Sequence, residues 1–236
     1  MAPTCPGPFL RGENLFLHVL YTPNIIRAMY SMTPSDHSST TGPRRVTGID
    51  ALRGIAVILM IQQHLLAWLW NSPRLTFPDL VRAYPLSMGM NLLGNLAAPF
   101  FITLAGTGAG LFLERPGARG RTLVMRGAVT LLLGIALNLL APYWFAPGTW
   151  YVLHLIGLCL MLAPLLMKAP SPALLPLCLG VFAASPLVQT WLATPIYLPE
   201  IRLNDASLPG GIARLALAEG HFPVLPWMSF FILGMI

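Results

Sequence analysis

Long apolar runs without a polar face fill most of the chain after residue 46. A helix needs about 20 consecutive apolar residues to cross the hydrocarbon core of a bilayer. A helix that is apolar all round faces lipid or a protein interior. The pattern therefore predicts an all-α polytopic membrane protein with about six transmembrane helices. The six segments lie near residues 51–71, 86–113, 122–143, 149–168, 172–194 and 222–236.

The two ends of the chain depart from this pattern. Residues 1–46 contain short apolar pieces among Pro, Gly, Ser and Thr, without a span or a clean signal peptide, so we expect a poorly ordered leader. Thr47 and Asp50 form a T-x-x-D capping box, which predicts the start of the first helix. The last run stops at Ile236 without a polar flank, so the sixth helix and the domain 47–236 are predicted to be incomplete.

The composition supports a membrane protein, because 56% of the residues are hydrophobic and 9% are charged. The formal charge of +6 does not indicate nucleic-acid binding, since the chain has no lysine-rich run and no basic stripe with interleaved aromatic residues. It indicates topology, because arginine and lysine collect in cytoplasmic loops. We predict a bacterial inner-membrane protein with a cytoplasmic N-terminus. The inner cationic residues are then Arg44, Arg45, Arg53, Arg115, Arg119, Arg121, Arg126 and Lys168.

Small residues within the apolar runs are interpreted as packing residues. The three cysteines are odd in number and far apart, which predicts reduced thiols without a disulfide or a metal site. Gly106 and Gly110 form a small-xxx-small pattern, which predicts close contact between two helices. The cysteines are Cys5, Cys159 and Cys178.

Polar residues within the predicted helices collect at two depths. The inner set is Asp50, Arg53 and Arg126, and the outer set is His64, Asn91, Asn95, Asn138, His154, Glu219 and His221. An isolated Asn or His near the interface can be an ordinary interhelical hydrogen bond. Two clusters on opposite sides, however, indicate a reaction or a path that needs access from both faces.

Arg53 and His64 are predicted to share one face of the first helix. Eleven residues separate them, which corresponds to a rotation of about 20° and a rise of about 16 Å. Asp50 lies within about 40° of the same line and can pair with Arg53 or orient it. This stripe suits a long ligand whose phosphate group lies at Arg53 on the cytoplasmic side and whose reactive end lies at His64. The alternative is that Arg53 snorkels to lipid phosphates and His64 bonds a neighbouring helix.

The spacing of Arg53 and His64 resembles the arginine-x10-histidine motif of the bacterial membrane O-acyltransferases. The wider pattern is similar to another branch of that superfamily, the heparan-α-glucosaminide N-acetyltransferase-like family. The resemblance covers about residues 47–236. It is carried by "IDALRGIAVILM", "NLAAPFFITLAGTGAGLFLE", "MRGAVTLLLGIALN", "WYVLHLIGLCLML" and "HFPVLPWMSFFILGM".

The resemblance implies a multispanning enzyme that takes an acyl group, usually acetyl, from a coenzyme A thioester in the cytoplasm. The group passes to an extracytoplasmic acceptor, often a sugar or glycan. Arg53 would help to hold the phosphates of the donor, and His64 would be the catalytic base or a transient acyl carrier. The loop "WNSPRLTFPDL" has no histidine where the lysosomal enzymes have theirs, so His64 is assigned from the bacterial motif.

Four further residues complete the predicted site. Asn95 stands where many bacterial relatives have histidine, and with His154 it is a further catalytic candidate. Asp50 and Arg126 are candidates for donor binding. The predicted donor is acetyl-CoA or another acyl-CoA, and no metal is expected.

Two other functions remain open from the sequence. A transporter or permease subunit would use the inner and outer clusters to line a pathway. An inactive, truncated relative would have a structural role. We expect the protein to be surrounded by membrane lipid and not to bind nucleic acid. It is also predicted to form a homo-oligomer or to belong to a larger membrane assembly.

Overall fold

The structure, a computed structural model, describes residues 47–69, 77–142, 145–195 and 200–236. The predicted leader, residues 1–46, lies outside the described residues. Within these ranges the regular elements are helices without a strand, so the predicted all-α fold is confirmed. The helices are α1 (Thr47–Leu69), α2 (Phe77–Ala83), α3 (Pro85–Asn95), α4 (Ala97–Leu113), α5 (Gly120–Leu140), α6 (Val152–Leu166), α7 (Ser171–Trp191), α8 (Glu200–Asn204), α9 (Gly211–Arg214), a π-helical turn (Leu215–Glu219) and α10 (Val224–Met235).

Four helical segments in the described part of the chain are long and apolar enough to cross a membrane, namely α1, α3 with α4, α5, and α7. The segment Gly211–Glu219 and α10, bent by 53° with respect to each other, would together make a fifth. Helix α6 is apolar but has only 15 residues. The prediction of a multi-pass integral membrane protein is therefore confirmed, whereas the count of six transmembrane helices is not.

The second predicted segment, residues 86–113, is one apolar run in the sequence but two helices in the structure. Helix α3 ends at Asn95, Leu96 forms a turn, and α4 follows. The break has a local cause, because Pro99 has no N–H to donate to the Asn95 carbonyl. The chain continues into α4 because the N–H of Phe100 donates to the Leu96 carbonyl at 3.1 Å. The Asn95 side chain is thereby placed at the end of α3, which packs on α1.

Glycines let α4 and α10 approach until their backbones touch. A Cβ atom at Gly106 would collide with the backbone carbonyl of Phe231. In the same way, a Cβ atom at Gly234 would collide with the carbonyl of Thr103. One at Gly110 would lie 3.6 Å from the α10 backbone. The interpretation of Gly106 and Gly110 as close-packing residues is confirmed.

Helices α5 and α6 form a second close pair. A Cβ atom at Gly157 would come 2.8 Å from the carbonyl oxygen of Gly127. The buried core lies mainly between α4, α6 and α10 and includes Ile102, Leu155, Ile156, Cys159 and Phe231. Cys159 and Cys178 are buried free thiols, as predicted, and Cys5 lies outside the described residues.

Candidate functional site

Arg53 forms an ion pair with Asp50, which lies three residues earlier on α1. Arg53 Nη1 donates to Asp50 Oδ1 at 3.2 Å, and both side chains are about half exposed. The guanidinium also lies against α4, because a Cβ atom at Gly108 would come 2.5 Å from Arg53 Nη2. Asp50 therefore orients the guanidinium, and the absence of a side chain at Gly108 gives it room.

Arg126 of α5 approaches the same end of α4. Its guanidinium carbon lies 5.4 Å from the centre of the Phe112 ring, which is a cation–π contact. Gly108 and Phe112 are four residues apart and lie on one face of the helix. Two of the predicted donor-binding residues, Arg53 and Arg126, thus both contact the C-terminal part of α4.

His64 forms a hydrogen bond within its own helix. Its Nδ1 lies 2.7 Å from the backbone carbonyl oxygen of Met60. A carbonyl only accepts, so Nδ1 carries the proton, and Nε2 is the unprotonated nitrogen of the neutral ring. General-base and nucleophilic catalysis both require an unprotonated nitrogen. The hydrogen bond to Met60 therefore selects the tautomer that either predicted role needs.

Side-chain amides join α1 to α3 next to His64. Gln63 Nε2 lies 3.4 Å from the side-chain oxygen of Asn91 and 3.4 Å from that of Asn95. Asn95 Nδ2 donates to Asn91 Oδ1 at 3.1 Å. Asn95 thus belongs to a cluster of side-chain amides that joins α1 to α3. It contacts Gln63, which directly precedes the predicted base in the sequence.

His154 has the opposite tautomer to His64. Its Nδ1 accepts a hydrogen bond from the backbone N–H of Tyr151 at 3.2 Å, so Nε2 carries the proton of the neutral ring. The residue is only 4% exposed. Its ring packs at Gly134 of α5 and lies 5.3 Å from the Trp150 ring. In this geometry His154 presents a buried hydrogen-bond donor.

A chain of hydrogen bonds links the end of α5, the start of α6 and the end of α8 to the residues just before α10. Asn138 Nδ2 donates to the Thr149 carbonyl at 2.8 Å, and the Thr149 hydroxyl donates to Asn204 Oδ1 at 3.0 Å. His221 Nε2 lies 3.2 Å from that same Asn204 oxygen. The His221 ring stacks on Tyr151 with centres 4.7 Å apart. We call these five residues the outer cluster, after the predicted outer set to which Asn138 and His221 belong.

Glu219 is fully buried near this cluster and holds the surrounding segments together. Arg202 donates to it through Nε and Nη2, each at 2.8 Å, and the Thr194 hydroxyl donates at 2.7 Å. The buried Arg214 also pairs with Glu219. The hydrogen bond to Glu219 raises the pKa of the Arg202 guanidinium above its ordinary value. Glu219 thus ties the end of α7 to α8 and α9.

Several polar partners in these clusters are not apparent from the sequence interpretation. Gln62 and Gln63 are two amides in an apolar run directly before His64, which is as unusual in a membrane helix as the histidine itself. Gln62 Nε2 donates to a backbone carbonyl of α3 at 2.8 Å. Thr149 and Asn204 are 55 residues apart, and no sequence pattern connects them.

The predicted site residues do not form one compact group. No set of three or more His, Cys, Asp or Glu side chains in the described ranges could hold a metal ion. Helix α1 packs mainly on α3 and α4, whereas α5 packs mainly on α6. The residues occupy the C-terminal end of α4 (Asp50, Arg53, Arg126), the C-terminal half of α1 with the end of α3 (His64, Asn95), and the α5–α6 contact (His154).

Comparison with known proteins identifies the family. The family described as "Heparan-alpha-glucosaminide N-acetyltransferase, catalytic" matches residues 45–236, which is most of the chain. No curated protein and no solved structure matches. The chain therefore belongs to the heparan-alpha-glucosaminide N-acetyltransferase catalytic family and is a membrane acyltransferase that uses an acyl-CoA-type donor.

Proposed function

We propose that the protein transfers an acetyl group from cytoplasmic acetyl-CoA to a sugar or glycan on the extracytoplasmic side. The observation that carries this proposal is the arrangement of α1. An arginine oriented by a carboxylate lies at one end, and a histidine in the base tautomer lies about 16 Å further along the same face. The family description supports both the acetyl group and the glucosaminide acceptor.

In this proposal the inner arginines hold the donor. Arg53 and Arg126 converge on α4 and offer two guanidinium groups to the phosphates of coenzyme A. Guanidinium groups bind phosphate with paired hydrogen bonds, and Asp50 fixes the direction of one of them. The pantetheine arm then extends along α1 towards His64.

His64 performs the proton transfer. Its Nε2 removes a proton from the acceptor while the acceptor oxygen or nitrogen attacks the thioester carbonyl. The carbon–sulfur bond breaks, and the departing thiolate receives the proton from the imidazolium. In the acyl-carrier variant Nε2 itself attacks the carbonyl and the thiolate leaves. The acceptor then displaces the imidazole from the acyl carbon, and the proton of the acceptor goes to the thiolate.

The outer residues have supporting roles. Asn95 stabilises the packing of α3 against α1 through Gln63. The Nε2–H of His154 donates a hydrogen bond to an acceptor oxygen, which orients the acceptor.

Donor binding tests the proposal directly. We expect Arg53→Ala to weaken acetyl-CoA binding in nanodiscs by about tenfold or more, because a charge-assisted hydrogen bond to phosphate is lost. Arg53→Lys should keep part of the affinity, since the charge remains without the planar fork. Arg115→Ala, which removes an exposed inner arginine, is the matched control. Equal affinity in all four proteins would mean that Arg53 is only a membrane anchor, and a wild type without acetyl-CoA binding would favour a transporter.

We also propose that the N-terminus is cytoplasmic, in a bacterial inner membrane. With Cys5, Cys159 and Cys178 replaced, a cysteine introduced by Ser207→Cys should react with a membrane-impermeant maleimide added to intact cells. One introduced by Arg119→Cys should react only after the membrane is opened. The reverse labelling pattern would invert the topology.

A further inference from the structure

We infer that the groove at the start of α5 is a binding site for an anionic phospholipid of the cytoplasmic leaflet. The groove has a volume of about 790 Å³ and runs between α5 and α6. It is lined by Arg119, Arg121, Thr122, Met125, Arg126, Val129, Thr130 and Leu160. The inference rests on the proposed orientation of the chain and adds a ligand that the acyl-transfer reaction does not use.

The charges at the mouth of the groove lack partners of opposite sign. Arg119 and Arg121 are exposed, and neither pairs with a carboxylate in the part of the chain that the structure describes. Arg126 contacts the Phe112 ring but no carboxylate within those ranges. The exposed guanidinium groups of Arg119 and Arg121 at one opening therefore attract an anion, and arginine suits a phosphodiester.

The wall of the groove is apolar and faces outward. Met125 is 55% exposed and Val129 is 52% exposed, and both follow Arg121 at intervals of four residues on the same face of α5. The exposed Leu133 continues this ridge. From Arg121 to Leu133 the helix rises about 18 Å, which is close to one leaflet of a hydrocarbon core about 30 Å thick.

This combination favours a lipid over a soluble anion. A cation at the membrane surface followed by an apolar ridge one leaflet long matches a phosphate headgroup followed by an acyl chain. Leu160 of α6 supplies the facing wall. The nucleotide part of a coenzyme A thioester stays in water and has no use for such a ridge. The structure therefore assigns the headgroup to Arg119 and Arg121 and one acyl chain to the ridge, and Arg126 stays with the proposed acyl donor.

Native mass spectrometry of the full chain tests the assignment with phosphatidylglycerol and with phosphatidylcholine of the same chain length. We expect preferential retention of phosphatidylglycerol and a loss of about fivefold in this preference for each of Arg119→Gln and Arg121→Gln. Arg115→Gln removes a neighbouring exposed arginine that does not line the groove and should leave the preference unchanged. An unchanged preference in Arg119→Gln and Arg121→Gln would overturn the inference, because these arginines would then not hold the headgroup. An equal loss in Arg115→Gln would also overturn it, because the arginines would then act only through the general surface charge.

Two further measurements separate the lipid from the acyl donor. Val129→Asn places a polar group in the path of the acyl chain and should weaken phosphatidylglycerol binding while leaving coenzyme A binding unchanged. Coenzyme A should not displace phosphatidylglycerol from the wild type. Displacement that disappears in Arg121→Gln would assign the groove to the phosphates of the donor and reject the lipid. If phosphatidylglycerol does not bind in the groove, the proposed acyl transfer is unaffected, because the acetyl-CoA titration tests that reaction separately.

Discussion

His64→Asn is expected to lower the rate of thiol release from acetyl-CoA by about 10²- to 10⁴-fold, the range that a positioned general base contributes. Asparagine can still hydrogen-bond, but its amide does not take up a proton near neutral pH. His64→Ala should be equally inactive. Because Arg53 and its contact with α4 are unchanged, the affinity of both variants for acetyl-CoA should stay near that of the wild type.

The matched control for His64 is Gln63→Leu. This change removes the amide that contacts Asn91 and Asn95 but leaves the imidazole in place. We expect lower thermal stability with turnover preserved per folded molecule, which is the opposite of the result for His64→Asn. Thiol release by protein reconstituted in liposomes, recorded with the melting temperature of each variant, distinguishes the two. Full turnover in His64→Asn would refute the catalytic assignment.

Glu219→Leu is expected to destabilise the protein by about 3–5 kcal/mol, because it leaves the charge of Arg214 buried without its partner. Arg214 is only 4% exposed, whereas Arg202 is partly exposed and can be hydrated. The double variant Glu219→Leu with Arg214→Leu should recover a large part of the loss, since two apolar side chains can replace a buried ion pair.

The exposed ion pair on α1 provides the control for this measurement. Asp50→Asn breaks a pair whose two side chains are about half exposed, and the expected loss is about 0–1 kcal/mol. Unfolding of each variant in mixed micelles with increasing dodecyl sulfate gives the differences in free energy. If Glu219→Leu were no more harmful than Asp50→Asn, Glu219 would not be what holds the outer segments together.

Much of the fold follows from the sequence because a bilayer allows few choices. A long apolar run must become a helix to satisfy its own backbone, so the positions of α1, α5 and α7 are predictable from hydrophobicity alone. The short α6 is less predictable. Thr149 and Tyr151, just before it, contribute a hydroxyl and a ring to the outer cluster, so these residues are used in contacts outside the helix.

The candidate site is predictable only where its residues lie on one helix. The pairing of Asp50 with Arg53 and their alignment with His64 follow from helical spacing. The contact of Arg53 with Gly108 and the bond between Thr149 and Asn204 depend on how separate helices and loops pack. The tautomers of His64 and His154 are set by local backbone groups, four and three residues earlier in the chain.

The backbone contact between α4 and α10 restricts the route of the acyl group. At Gly106 and at Gly234 the opposite helix leaves no space for a single carbon atom, so a pantetheine arm cannot thread between these two helices. On its other side α4 packs on α1, where Arg53 lies at the inner end and His64 further out. The seam between α4 and α10 is thus a barrier along one flank of α4, and in the proposed reaction the thioester advances along the α1 flank.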